Sequence, residues 1–133
     1  MKTVILNRDE VRALLDAGEL RIGRMVDGTS RKRYGRPGDR LLVREAFSSR
    51  RDADRIKIRY LADGREGEPR WFPIDSDTKK RFATQTYRTW PGKHAPRWLC
   101  RLVVEVLCVE ERLRGARRVV VLSVRLAEDT GAH

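Results

Sequence analysis

Two side chains in this sequence have neighbours that suit proton transfer, Glu45 and His94. Glu45 ends the run Leu41-Leu42-Val43-Arg44-Glu45 and is followed by Ala46-Phe47. Strand alternation puts Leu41, Val43, Glu45 and Phe47 on one face and Leu42, Arg44 and Ala46 on the other. A carboxylate among apolar side chains is costly unless it is paired, hydrogen-bonded or at the mouth of a cavity. A structural ion pair with one of the many arginines is its ordinary fate; a proton-transfer role is the catalytic one. His94 lies in His94-Ala95-Pro96-Arg97-Trp98, and there His94 and Arg97 are candidates to bond base edges or phosphate. Arg21, Arg24, Arg33 and Arg44 are candidate phosphate contacts, and Tyr34, Trp90 and Trp98 are candidate stacking platforms for bases. In the same reading Glu45 accepts from an exocyclic amine.

The charge balance supports that chemistry. Thirty Lys and Arg against 19 Asp and Glu give a net charge of +11 and a pI near 10.6 over 133 residues. Such an excess favours a polyanionic partner, with nucleic acid ahead of a membrane surface, since no dedicated basic amphipathic helix is visible. The opening Met1-Lys2-Thr3-Val4-Ile5-Leu6 is too short an apolar run for a signal peptide, and no run approaches a membrane span. With two cysteines, two histidines and no CxxC, neither a disulfide framework nor a zinc site is indicated. A cytoplasmic chain with reduced thiols and no cofactor is expected. Cys100 and Cys108 read as packing residues of one strand, roughly 26 Å apart at about 3.3 Å per residue.

The length fits one domain. Val4-Ile5-Leu6 reads as a first strand. Asn7 and Glu10 form a capping box for a helix over about 8 to 17, ended by Gly18. Leu20, Ile22 and Val26 alternate as a half-buried strand, followed by a turn at Asp27-Gly28 and a basic loop from Thr29 to Arg33. In Arg36-Pro37-Gly38-Asp39 the Pro-Gly pair predicts a type II turn. A polar run from Ser48 to Asp54 precedes a strand with Ile56, Ile58 and Tyr60 on one face. Residues 65–96 are broken by Gly and Pro and read as a long loop excursion from the core, its aromatics interleaved with Lys and Arg. Two strands close the chain, one from Arg101 to Glu110 carrying Leu102, Val104, Val106 and Cys108 on one face, the other from Arg117 to Leu126. The expectation is an α+β or mostly β domain of five to six strands, barrel-like, with one N-terminal helix.

Several of these blocks carry a family resemblance. Val4-Ile5-Leu6-Asn7, Val11-Arg12-Ala13-Leu14-Leu15-Asp16, Tyr34-Gly35-Arg36-Pro37-Gly38-Asp39-Arg40-Leu41 with Val43-Arg44-Glu45, Tyr60-Leu61-Ala62-Asp63-Gly64 and His94-Ala95-Pro96-Arg97-Trp98 together resemble an ASCH-domain protein of the PUA-like superfamily, of the type carried by phages and prophages. The resemblance implies a small β-barrel with a cleft beside the first helix, used for RNA or nucleobase recognition and in some members for hydrolysis of N4-acetylcytidine or RNA. In the amidohydrolases a lysine and a threonine follow the first helix. Aligned on Gly18, those positions here are Leu20 and Gly23, which can act neither as base nor as nucleophile. Arg21, one residue along, stays protonated and binds anions. The family's later glutamate has only Glu128 as a remote counterpart.

The leading expectation is therefore a non-catalytic nucleic-acid-binding module for RNA, single-stranded DNA or a nucleobase. A hydrolase using Glu45 or His94, and a phage-encoded inhibitor binding a host protein complex, are the alternatives.

Overall fold

The computed structural model describes residues 1–26 and 33–127. Among them are nine strands, two α-helices and three short 3-10 turns. Strand β1 (Lys2–Leu6) leads into helix α1 (Arg8–Ala17). The Asn7 side chain accepts from the Glu10 N–H at 2.8 Å, and Glu10 accepts from the Asn7 N–H at 2.9 Å. This reciprocal cap satisfies two otherwise orphaned amides. Val11 and Leu14 face inward and the helix stops at Gly18, with φ 76°. Strands β2 (Glu19–Val26), β3 (Arg40–Glu45), β8 (Val103–Arg114) and β9 (Arg117–Leu126) complete a five-stranded sheet ordered β1-β3-β8-β9-β2. Its β1–β3 pair is parallel and the others antiparallel. The predicted type II turn launches β3: Gly38 sits at φ 93° and the Asp39 N–H donates to the Arg36 carbonyl at 2.9 Å. Only glycine takes that φ without strain.

A second sheet holds β4 (Phe47–Asp52), β5 (Arg55–Tyr60), β6 (Arg70–Pro73) and β7 (Arg88–Trp90) in the order β6-β5-β4-β7, all antiparallel. Its existence corrects three expectations. Among the described residues there are nine strands rather than five or six, and no pairing closes either sheet into a barrel. The polar run after Phe47 is a strand, because Phe47 and Ser49 turn inward while their polar neighbours line the other face. Residues 65–96 are no excursion from the core: they supply β6, β7 and the short helix α2 (Asp77–Lys80), together with the buried Phe82 and Trp90. Glycine and proline break that stretch into short pieces, and the burial of its aromatics holds them together.

Each sheet has its own core. One is aliphatic, with Leu6, Val11, Leu14, Leu41, Val43, Val104 and Leu122 among its members. The other is built on Phe47, Ile56, Ile58, Tyr60, Phe82, Trp90 and Leu99. The cysteines are not in one strand. Cys100 is buried behind the 3-10 turn Arg97–Leu99 and only Cys108 lies in β8. An irregularity between Val106 and Cys108 shifts the register, so Val109 rather than Cys108 packs on the core. The Asp27-Gly28 turn, the loop from Thr29 to Lys32 and Glu128 lie outside the described residues. No helix among the described residues is long and apolar enough to cross a membrane.

Candidate nucleic-acid interface

A cleft of about 560 Å³ opens at the N-terminus of α1. Its floor and walls come from the end of β1, from Asn7, Arg8 and Glu10 of the helix start, from Arg24 and Met25 of β2, from Arg33 and Tyr34, from Ala46 between β3 and β4, and from Pro91-Gly92-Lys93. Local rules place each wall. The capping box fixes where the helix begins, and alternation along β2 turns Arg24 toward it. There the Arg24 guanidinium donates to both Glu10 oxygens, at 2.9 and 2.5 Å, and to the Ile5 carbonyl at 3.0 Å. Burial alone would raise the Glu10 carboxyl, but the hydrogen bonds from Arg24 and from the Asn7 N–H prevail and hold it below the usual carboxylate range. The third wall depends on a glycine: a Cβ on Gly92 would stand 2.8 Å from the Arg44 carbonyl oxygen and 3.1 Å from Ile5 Cγ2. No larger residue lets this loop lie so close to β3 and β1.

Arg24, Arg33 and Tyr34 thus line one cleft. Tyr34 is buried with the Arg33 guanidinium 5.7 Å above its ring. Arg44 stands behind the cleft, not in it: its side chain donates to the Ala95 carbonyl at 3.0 Å and to the Lys93 carbonyl, which holds the glycine loop in place. Arg97 donates to the Met1 carbonyl at 2.8 Å. Arg21 is elsewhere, exposed and 3.7 Å from Glu110, beside a separate hollow of about 400 Å³ that includes Arg112, Arg114 and Arg117. The five arginines proposed from sequence therefore do not converge as a set; two of them do.

Glu45 has the ordinary fate. It is 2% exposed and both its oxygens accept from Arg101, at 3.0 and 3.1 Å. Arg101 also donates to both oxygens of Asp63 at 2.8 Å and lies 4.2 Å over the Tyr60 ring. Burial pushes the Glu45 carboxyl up and Arg101 pulls it only part of the way back, whereas on Arg101 the two carboxylates outweigh burial and keep the guanidinium charged. No oxygen of Glu45 is left facing a ligand.

Trp90 and Trp98 belong to the aromatic core. Trp90 is 5% exposed and its Nε1–H donates to Ser49 Oγ at 2.8 Å, while Trp98 packs edge-on against Phe72 and Phe82. His94 is half-exposed and does not line the cleft; its Nδ1 is 3.1 Å from Arg81. Its imidazole is held below its usual range by packing against Trp90 and by the cations Arg81, Lys93, Arg44 and Arg88. Among the described residues no group of three or more His, Cys, Asp or Glu could hold a metal.

Sequence reasoning missed Arg8, Glu10 and Lys93 as cleft walls and Arg101 as the partner of Glu45. The capping box was the available signal for Glu10, since the residue that closes the cap also faces the cleft. Nothing local pointed to Arg101, which lies 56 residues from its partner. Comparison with protein-family models, curated proteins and solved structures finds no match to this chain.

Proposed function

We propose that this chain is a nucleic-acid-binding module of the ASCH type, in the PUA-like superfamily, which takes a nucleobase or a short single strand of RNA or DNA in the cleft beside α1. The observation that carries the reading is the cleft itself: Arg8, Arg24, Arg33 and Lys93 surround it, Tyr34 lies at its wall, and Glu10 is its one carboxylate among the described lining residues. Three cations thus exceed the number needed to balance Glu10, and they meet at a site wide enough for a base.

The chemistry at hand favours binding over turnover. Leu20 and Gly23 leave β2 without the lysine and threonine of the amidohydrolases, and the most acid-like group nearby, Glu45, is committed to Arg101. Arg8, Arg33 and Lys93 would hold phosphate or a base edge, whereas Arg24, paired with Glu10, and Tyr34, buried beneath Arg33, would shape the wall rather than contact a base face. The phage-type resemblance leaves the natural ligand open among RNA, single-stranded DNA and free nucleobases.

Fluorescence anisotropy with labelled eight-nucleotide oligo-U RNA and oligo-dT DNA tests this. Arg33→Gln removes an exposed cation whose only described contact is the Tyr34 ring, so it should weaken binding and lower the slope of log K against log salt by about 0.7. Wild-type affinity and slope in both Arg33→Gln and Arg24→Gln would overturn the cleft as the site. Release of acetate from N4-acetylcytidine by the wild-type protein would overturn the non-catalytic reading.

A further inference from the structure

The outer face of the second sheet is built as regularly as its core. Inward alternation of Phe47, Ser49, Ile56, Ile58 and Tyr60 obliges Arg50, Lys57 and Arg59 to point the other way. The register sets Arg50 opposite Lys57 and Lys57 opposite Trp71. Tyr87, leading into β7, lies at the far edge with the Arg50 guanidinium 4.9 Å over its ring, and Arg55 is 4.5 Å over Trp71. A row Tyr87, Arg50, Lys57, Trp71 therefore crosses the whole sheet. The central member matters most: Lys57 Nζ is 5.3 Å from the Trp71 centroid and 6.0 Å from that of Tyr87, so two aromatic rings flank one ammonium.

Two further observations suit a ligand here. Trp71 and Tyr87 are 38% and 42% exposed, unlike Trp90 and Phe47 of the same sheet and Phe82 packed against them, which are buried. Asp52 is the only carboxylate in β4 and β5, so the cations of this face are largely unneutralised from their own strands.

We infer that this face is a second binding surface, for single-stranded nucleic acid, on which two neighbouring bases stack on Trp71 and Tyr87 while the phosphate between them meets Lys57 and Arg50. Unpaired bases supply the ring faces and the backbone supplies the charge, whereas an acidic peptide would use the cations and leave the rings idle. A duplex, with its bases already stacked inside, would do the same. The inference rests on the reading of this chain as a nucleic-acid binder but uses no residue of the cleft.

The test is binding of eight-nucleotide oligo-U and oligo-dT to the full chain and to Trp71→Ala, Tyr87→Ala, Trp71→Phe and Lys57→Gln. Each alanine variant should lose about 5- to 100-fold in affinity with the salt slope unchanged. Trp71→Phe should recover most of the loss, and Lys57→Gln should lower the salt slope. If the alanine variants weaken while Arg33→Gln and Arg24→Gln bind like wild type, this face stands and the cleft reading fails. Wild-type affinity in a Trp71→Ala/Tyr87→Ala double variant, alongside loss in the cleft variants, overturns the face and leaves the cleft. Equal competition by duplex DNA or polyglutamate also overturns it, and no oligonucleotide binding by the wild-type protein overturns both.

Discussion

The two sheets solve the burial problem with different side chains, and the difference governs what each offers to solvent. The five-stranded sheet has an aliphatic core in which Tyr34 is the one aromatic among the buried members, and the surface proposed for binding on it is a recess where α1, β2 and a glycine loop meet. The four-stranded sheet packs Phe47, Tyr60, Phe82 and Trp90 against one another, with ring centroids of Phe82 and Trp90 5.1 Å apart, and the surface proposed for binding on it is an open face. Branched aliphatics fill space between elements and leave clefts at their seams. Large rings span a thin layer by themselves, so few elements are needed to cover them and the reverse side of the sheet stays bare.

The sharpest way to break the comparison is to cut the joint between the halves. Glu45 ends β3 in the first sheet, Arg101 precedes β8, and Asp63 closes the 3-10 turn Leu61–Asp63 that follows β5 of the second sheet. Arg101→Met should cost about 3–5 kcal/mol in urea unfolding, since it leaves Glu45 charged and unpaired at 2% exposure. Restoration of near wild-type stability by the further change Glu45→Gln would locate the cost in the stranded carboxylate. A loss under 1 kcal/mol in the single variant would mean that the halves do not depend on this joint.

A smaller effect singles out the aromatic half. The Tyr60 hydroxyl donates to the Leu99 carbonyl at 2.6 Å, and burial pushes the phenol up to about 12. The folded protein therefore holds this proton more tightly than the unfolded chain, whose phenol titrates near pH 10. The stabilisation is fully present below pH 10 and is lost as pH rises through about 12, a contribution on the order of 2–3 kcal/mol. Tyr60→Phe should lack that part of the alkaline decline, and phenolate absorbance of wild type minus variant should rise near pH 12 rather than near 10. The smallest effect concerns the aliphatic half and its cleft: Asn7→Ala removes the helix cap and should cost about 1 kcal/mol, measurable in the same unfolding experiment.

How much of each half could be read in the sequence follows from the same contrast. Helix α1, its cap, its Gly18 end, the Pro-Gly turn and strand β5 were legible because each is set by residues within a few positions of one another. The rest of the second sheet was not. Strand β6 is four residues long and β7 three, too short for a period to register, and they are held by aromatic contacts between distant segments such as Phe47 with Trp90. The same holds for the sites. Arg24, Arg33 and Tyr34 do line the cleft beside the helix, yet charge alone could not separate a cleft-lining arginine from Arg44 and Arg97, which donate to backbone carbonyls. The Arg55-Lys57-Arg59 alternation was plain, but its neighbours Arg50 and Trp71 enter the row only through strand register.

The passage from β3 to β4 has no loop: Glu45, Ala46 and Phe47 follow one another from the first sheet into the second. Ala46 lines the cleft while Phe47, the next residue, is wholly enclosed by the rings of the other half. One residue of backbone thus links the recess to the half that bears the open face, and under the two proposals above a strand long enough to reach both would bind more tightly than one that spans either alone.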